Sequence, residues 1–135
     1  MKPPCMIVVQ YVLPAIRAVV MKDLIENYNV RKIDASTKME LTPAAITQYM
    51  KGQRGAMFAD KIAKSEKTMK ILSELAETLA KNDVPAEIII DKLCKACVTI
   101  RSERIICGLH QKEMPSLKQC ECVICEPSNS NCLAS

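Results

Sequence analysis

Cysteine placement constrains this chain more than any other feature. Seven of its eight cysteines fall between Cys94 and Cys132. They run as Cys94-x2-Cys97, Cys107-x2-His110, Cys120-x-Cys122-x2-Cys125 and then Cys132. Residues three apart on a helix share a face, so Cys94 and Cys97 point two thiols to one side. A second CxxC pair at Cys122 and Cys125 gives the spacing of a thiolate metal site. Cys107 adds a fifth sulfur. The expected metal ligands are therefore Cys94, Cys97, Cys107, Cys122 and Cys125. This set fits an iron–sulfur cluster with a spare thiol, one zinc with extra cysteines, or two zincs if His110 joins. A metal-free dithiol switch and plain buried thiols are the other readings. Cys5 stands alone and reads as a small buried hydrophobe. Cys120, Cys132 and His110 are left unassigned.

Composition narrows the function. Met1-Lys2-Pro3-Pro4 is a poor start for a secretory leader, and Gln10, Pro14 and Arg17 interrupt the apolar run from Met6 to Met21, which argues against a membrane span. A cytoplasmic location is expected, where dense cysteine reads as metal or redox chemistry before it reads as a disulfide framework. Three glycines and no GxGxxG or GxxxxGK[ST] string argue against a phosphate-cradling loop. A single histidine leaves little room for a catalytic triad. Aromatic residues are 3% of the chain, too few for a base-stacking platform. The net charge of +4 is uneven, with 12 Lys/Arg against 6 Asp/Glu over residues 1–70 and 7 against 9 over 71–135. A basic front half suits an anionic partner.

Hydrophobic spacing predicts an all-α chain without hairpin alternation or internal repeats. A short extended or helical lead-in precedes a helix over about Pro14–Tyr28, whose Ile16, Val19, Val20, Leu24 and Ile25 recur at helical spacing and whose end suits Asn29. A short helix over 31–39 turns Ile33, Ala35 and Met39 inward. Thr42 as cap and Pro43 as first residue open a helix to Lys51, closed by Gly52. A longer helix is expected over about Asp60–Asn82, with Ile62, Met69, Leu72, Ala76 and Leu79 as a packing stripe and Lys61, Lys64, Lys67 and Lys70 on a solvated face. Asp83 is the expected cap of the next helix, which carries Ile88, Ile89, Leu93 and the first cysteines. Short helices and turns follow Arg101.

Residues 31–55 have the layout of a helix-turn-helix. Ala35, Ser36 and Ala45 are small where two helices would cross, and Met39, Leu41, Ile46 and Met50 are apolar anchors. The expected DNA-contacting set is Thr42, Pro43, Ala44, Thr47, Gln48, Lys51, Gln53 and Arg54. Gln can pair with adenine in a bidentate fashion, and Ala or a Thr methyl can meet the thymine methyl. Lys51, Gln53 and Arg54 sit where phosphate contacts fix register. Glu40 occupies the turn position that glycine usually takes, because the backbone there adopts positive φ.

The order MKPPC, YVLPAIRA, TPAAITQYMKGQRG and then CxxC…RSE…CxxH…CxxC resembles a family of predicted archaeal helix-turn-helix transcriptional regulators whose DNA-binding part is similar to phage-repressor (Xre-type) domains. The resemblance spans nearly the whole chain. It implies a sequence-specific, homodimeric regulator with base contacts at Thr42, Ala44, Thr47 and Gln48. It matches Cys94, Cys97, Cys107, Cys122 and Cys125 to the family's cysteine pattern. The combined reading divides the chain into a DNA-binding part (1–58), connecting and dimerisation helices (59–92), a cysteine-rich module (93–126) and a loose tail (127–135). The expected function is a redox- or iron-responsive, non-enzymatic regulator of transcription. Its expected cofactor is an iron–sulfur cluster, 4Fe–4S in type, with a structural zinc as alternative. Double-stranded DNA and a second copy are the expected partners, with no membrane and no small-molecule substrate. A thiol–disulfide oxidoreductase and a protein-interaction module are the readings from other classes.

Overall fold

The computed structural model describes residues 1, 3–52, 56–119 and 125, and every regular element among them is helical, with no strand. The first element is longer than its proline suggests. α1 (Pro4–Ile7), a π-helical turn (Val8–Val12) and α2 (Leu13–Asn27) form one rod. Pro14 has no N–H, and its ring would collide with the carbonyl of residue 10 in a regular α-helix. The π turn widens the spiral at that point, with the Leu13 N–H reaching back to the Val8 carbonyl. The expected start at Pro14 is thus corrected to Pro4.

The rod, 24 residues from Pro4 to Asn27, is long and apolar enough by length and composition to cross a membrane. The interruptions at Gln10, Pro14 and Arg17 therefore do not exclude that reading. In this fold the rod is the central pillar. Ile7, Val12, Ile16, Val20 and Leu24 are buried against α5 (Ala56–Ala63), α6 (Glu66–Ala80) and α7 (Ala86–Ser102). Met21, farther round the same rod, joins Ala45, Ile46 and Tyr49 of α4 (Pro43–Met50) in a second buried cluster.

The helix expected over Asp60–Asn82 is two helices. α5 stops at Ala63, and Ser65 opens α6 by accepting the Thr68 N–H at 3.2 Å. The Ser65 hydroxyl also lies 2.8–2.9 Å from both carboxylate oxygens of Glu103, just past α7. A buried serine thus ties the break to a distant helix end. On either side of it the expected stripe holds: Ile62, Leu72, Ala76 and Leu79 are buried, and Met69 packs against them. Asp83 is not a cap. Its φ is 61°, and α7 begins at Ala86 after an extended Pro85. α8 (Cys107–Glu113) and a 3₁₀ turn (Pro115–Gln119) follow, and the Tyr11 hydroxyl donates to Glu113 Oε1 at 2.9 Å, fastening α8 to the rod.

Candidate nucleic-acid interface and thiol neighbourhood

α3 (Lys32–Lys38) and α4 form a compact pair with a tight turn between them. The turn is a Schellman closure: Leu41 N–H returns to Ser36 O at 2.9 Å and Glu40 N–H to Thr37 O at 3.2 Å. This pattern places Glu40 in the left-handed region, with φ of 53°. The chain adopts the geometry that glycine would favour and bears the strain. Asn29, at φ 52°, and Gly52, at φ 70°, end α2 and α4 in the same region, as their residue types predict.

Small residues make the crossing close. Ala35, Ser36 and Ala45 are buried, and the Ser36 hydroxyl is satisfied by donating to Ile33 O at 2.7 Å. Thr42 caps α4 as expected, its Oγ1 accepting the Ala45 N–H at 3.1 Å, and Pro43 follows. Ile46 and Tyr49 hold α4 to α2 through Met21, Ala18 and Ile25. Two residues expected to face inward differ: Ile33 is 62% exposed, on the side of α3 away from Ala35, and Met50, one turn beyond Ile46, is 38% exposed at the end of α4.

With the buried arc of α4 fixed by Ala45, Ile46 and Tyr49, its opposite face is open. Thr42, Pro43, Ala44, Thr47 and Lys51 are all exposed. The Thr47 hydroxyl donates to Pro43 O at 3.2 Å. Gln48 is the exception. It sits at the edge of this face, partly buried, and its Oε1 is shut off from solvent with no hydrogen-bond partner among the described residues. An unmet buried acceptor costs about 1–3 kcal/mol, so swinging this amide outward to water or a base edge recovers free energy. Gln53 and Arg54 lie outside the described residues.

The described cysteines other than Cys5 belong to α7, α8 and residue 125. Cys94, exposed, and Cys97, half-buried, lie one turn apart on α7. Arg101 is the next residue along the same stripe. It is 5% exposed, and its Nε lies 3.4 Å from Cys125 Sγ. Burial pushes the Cys97 thiol up to about 11, the neighbouring Cys94 adds to the shift, and the Arg101 guanidinium opposes it. Cys97, Arg101 and Cys125 thus share one neighbourhood, with Cys94 at its edge. Cys107 is half-buried at the start of α8. Among the described residues no three Cys, His, Asp or Glu side chains converge as a metal site. Cys120, Cys122 and Cys132 lie outside the described residues. The donor chemistry that is described fits part of a thiolate set: sulfur ligands beside a buried cation that offsets their charge.

Arg101 was not singled out from the sequence. Its signal was available, at four residues after Cys97 and seven after Cys94, which places all three on one helical face. One expectation is corrected: Cys5 is exposed instead of buried. His110, left unassigned by the sequence, is buried on α8. Compared with protein-family models, curated protein sequences and solved structures, the chain matches none.

Proposed function

We propose that this protein is a sequence-specific DNA-binding regulator of transcription. In this reading α3 and α4 act as a helix-turn-helix and α4 lies in the major groove. The observation that supports it most is the division of α4: one arc is fastened by Ala45, Ile46 and Tyr49, and the other presents Thr42, Ala44, Thr47 and Lys51 to solvent. An eight-residue helix is about 12 Å long, enough to enter one groove and contact a few base pairs. The basic surplus over residues 1–70 supports attraction to phosphate. The family suggested by the amino-terminal string, the helix pair and the cysteine order agrees with this reading.

In the same proposal the chain is a cytoplasmic homodimer. Its cysteine-rich end, with Cys94, Cys97, Cys107, Cys122 and Cys125 as ligands, holds an iron–sulfur cluster that makes DNA binding responsive to redox state or iron. Two recognition helices must then be spaced by about one turn of DNA. The test combines two measurements on protein purified without oxygen: selection of bound duplexes from a random pool, and iron, zinc and sulfide content. Enrichment of a two-fold symmetric site with stoichiometric iron and sulfide is the expected result. Stoichiometric zinc without sulfide replaces the sensing role with a structural metal. No enrichment at all overturns the DNA-binding reading.

A further inference from the structure

A slot of about 300 Å³ opens between α2, the α3–α4 turn, α6 and α7, a volume at the small end of the range for ligand sites. Its floor is core: Ile16, Val20 and Leu79 line it and are buried. Leu93 and Ile90 form the α7 wall, and Ile90 is 54% exposed. Two opposite charges line the same slot, Arg17 from α2 and Glu40 from the turn. Among the described residues neither forms a salt bridge, with each other or with a third group. The second cation present, Lys38, already directs its amine to Lys81 O and Asn82 Oδ1, 3.4 Å from each.

We infer that this slot binds an apolar α-amino acid, with its carboxylate on Arg17, its ammonium on Glu40 and its side chain on the Leu93–Ile90 wall. The chemistry selects a zwitterion. An apolar acid leaves Glu40 beside its head group, and an apolar amine meets Arg17. A molecule carrying both charges complements both residues while covering the aliphatic wall. The binding itself does not depend on the DNA-binding reading. Glu40 belongs to the turn that orients α4, so under that reading an occupied slot also bears on DNA affinity.

Calorimetry with three probes of nearly one shape tests the site: L-leucine, 4-methylpentanoate, which lacks the ammonium, and isoamylamine, which lacks the carboxylate. L-Leucine is expected to bind with one molecule per chain and about tenfold more tightly than either analogue, the loss of one charge-assisted hydrogen bond. Arg17→Met, which keeps the aliphatic stem, should abolish the preference for leucine over the amine. Glu40→Gln should abolish the preference over the acid. Both positions are at the surface, and circular dichroism checks that the fold is kept. Equal binding of leucine and 4-methylpentanoate, or no effect of either substitution, overturns the assignment. So does a dimer in sedimentation that Ile90→Glu dissociates while leucine fails to bind, because the slot then belongs to a second copy of the chain.

Discussion

Replacing Glu40 by glycine should stabilise the protein. A residue with a Cβ held at φ of 53° bears about 1–2 kcal/mol of steric strain. Glycine removes that strain but adds about 0.4–1 kcal/mol of freedom to the unfolded chain. No side-chain hydrogen bond of Glu40 is lost among the described contacts, and the two backbone bonds of the Schellman closure are kept. At the middle of both ranges the net gain is about 0.8 kcal/mol, which for a domain of this size raises Tm by about 2–4 °C. Thermal and urea unfolding followed by circular dichroism measures it. Glu40→Ala is the control: it keeps the Cβ and the strain, and should lie within about 0.5 kcal/mol of the parent. If Glu40→Gly is neutral or destabilising, or if alanine stabilises as much as glycine, the strained-turn argument is wrong.

Other substitutions probe the remaining joints. Ser65→Ala removes the cap of α6 together with its contact to Glu103, and should lower unfolding stability by about 1–2 kcal/mol in urea titration; a change below a few tenths contradicts the joint. In reduced, metal-free protein at pH 8, iodoacetamide should label exposed Cys94 well before Cys97. The Cys97 pKa lies above its ordinary value, so its thiol keeps its proton at pH 8, and its labelling rate should climb about tenfold per pH unit up to about pH 11. Equal labelling at pH 8, read by mass spectrometry, contradicts that environment. Gln48→Ala should relax sequence preference at one base position while removing the orphaned acceptor, leaving stability equal or slightly raised; a loss of stability with unchanged preference opposes it.

The parts of the fold that local chemistry decides were legible from residues alone. Thr42-Pro43 opened α4, Gly52 closed it, and Ala35, Ser36 and Ala45 marked the crossing, because capping, left-handed closure and close approach each require particular side chains. The parts decided by distant partners were not. The break at Ser65 depends on Glu103, thirty-eight residues away, and periodicity continues across it. Pro14 looked like a helix start because a π turn that absorbs a proline has no sequence signature of its own. Ile33 is apolar on an open face and Met50 at an exposed helix end, and apolarity alone predicts burial. At the cysteine-rich end, spacing identified the thiols, but it gave no sign that a buried arginine stands among them.

The central claim is that the open face of α4 contacts duplex DNA, and Lys51→Glu tests it most directly, since Lys51 is exposed just past that helix and reversing its charge leaves the core untouched. Affinity for the selected duplex should be measured by fluorescence anisotropy across a salt series, for parent and variant. The account predicts weakening across all sequences and a slope of log K against log salt shallower by about one, as one phosphate contact is lost. Unchanged affinity and an unchanged slope would contradict it.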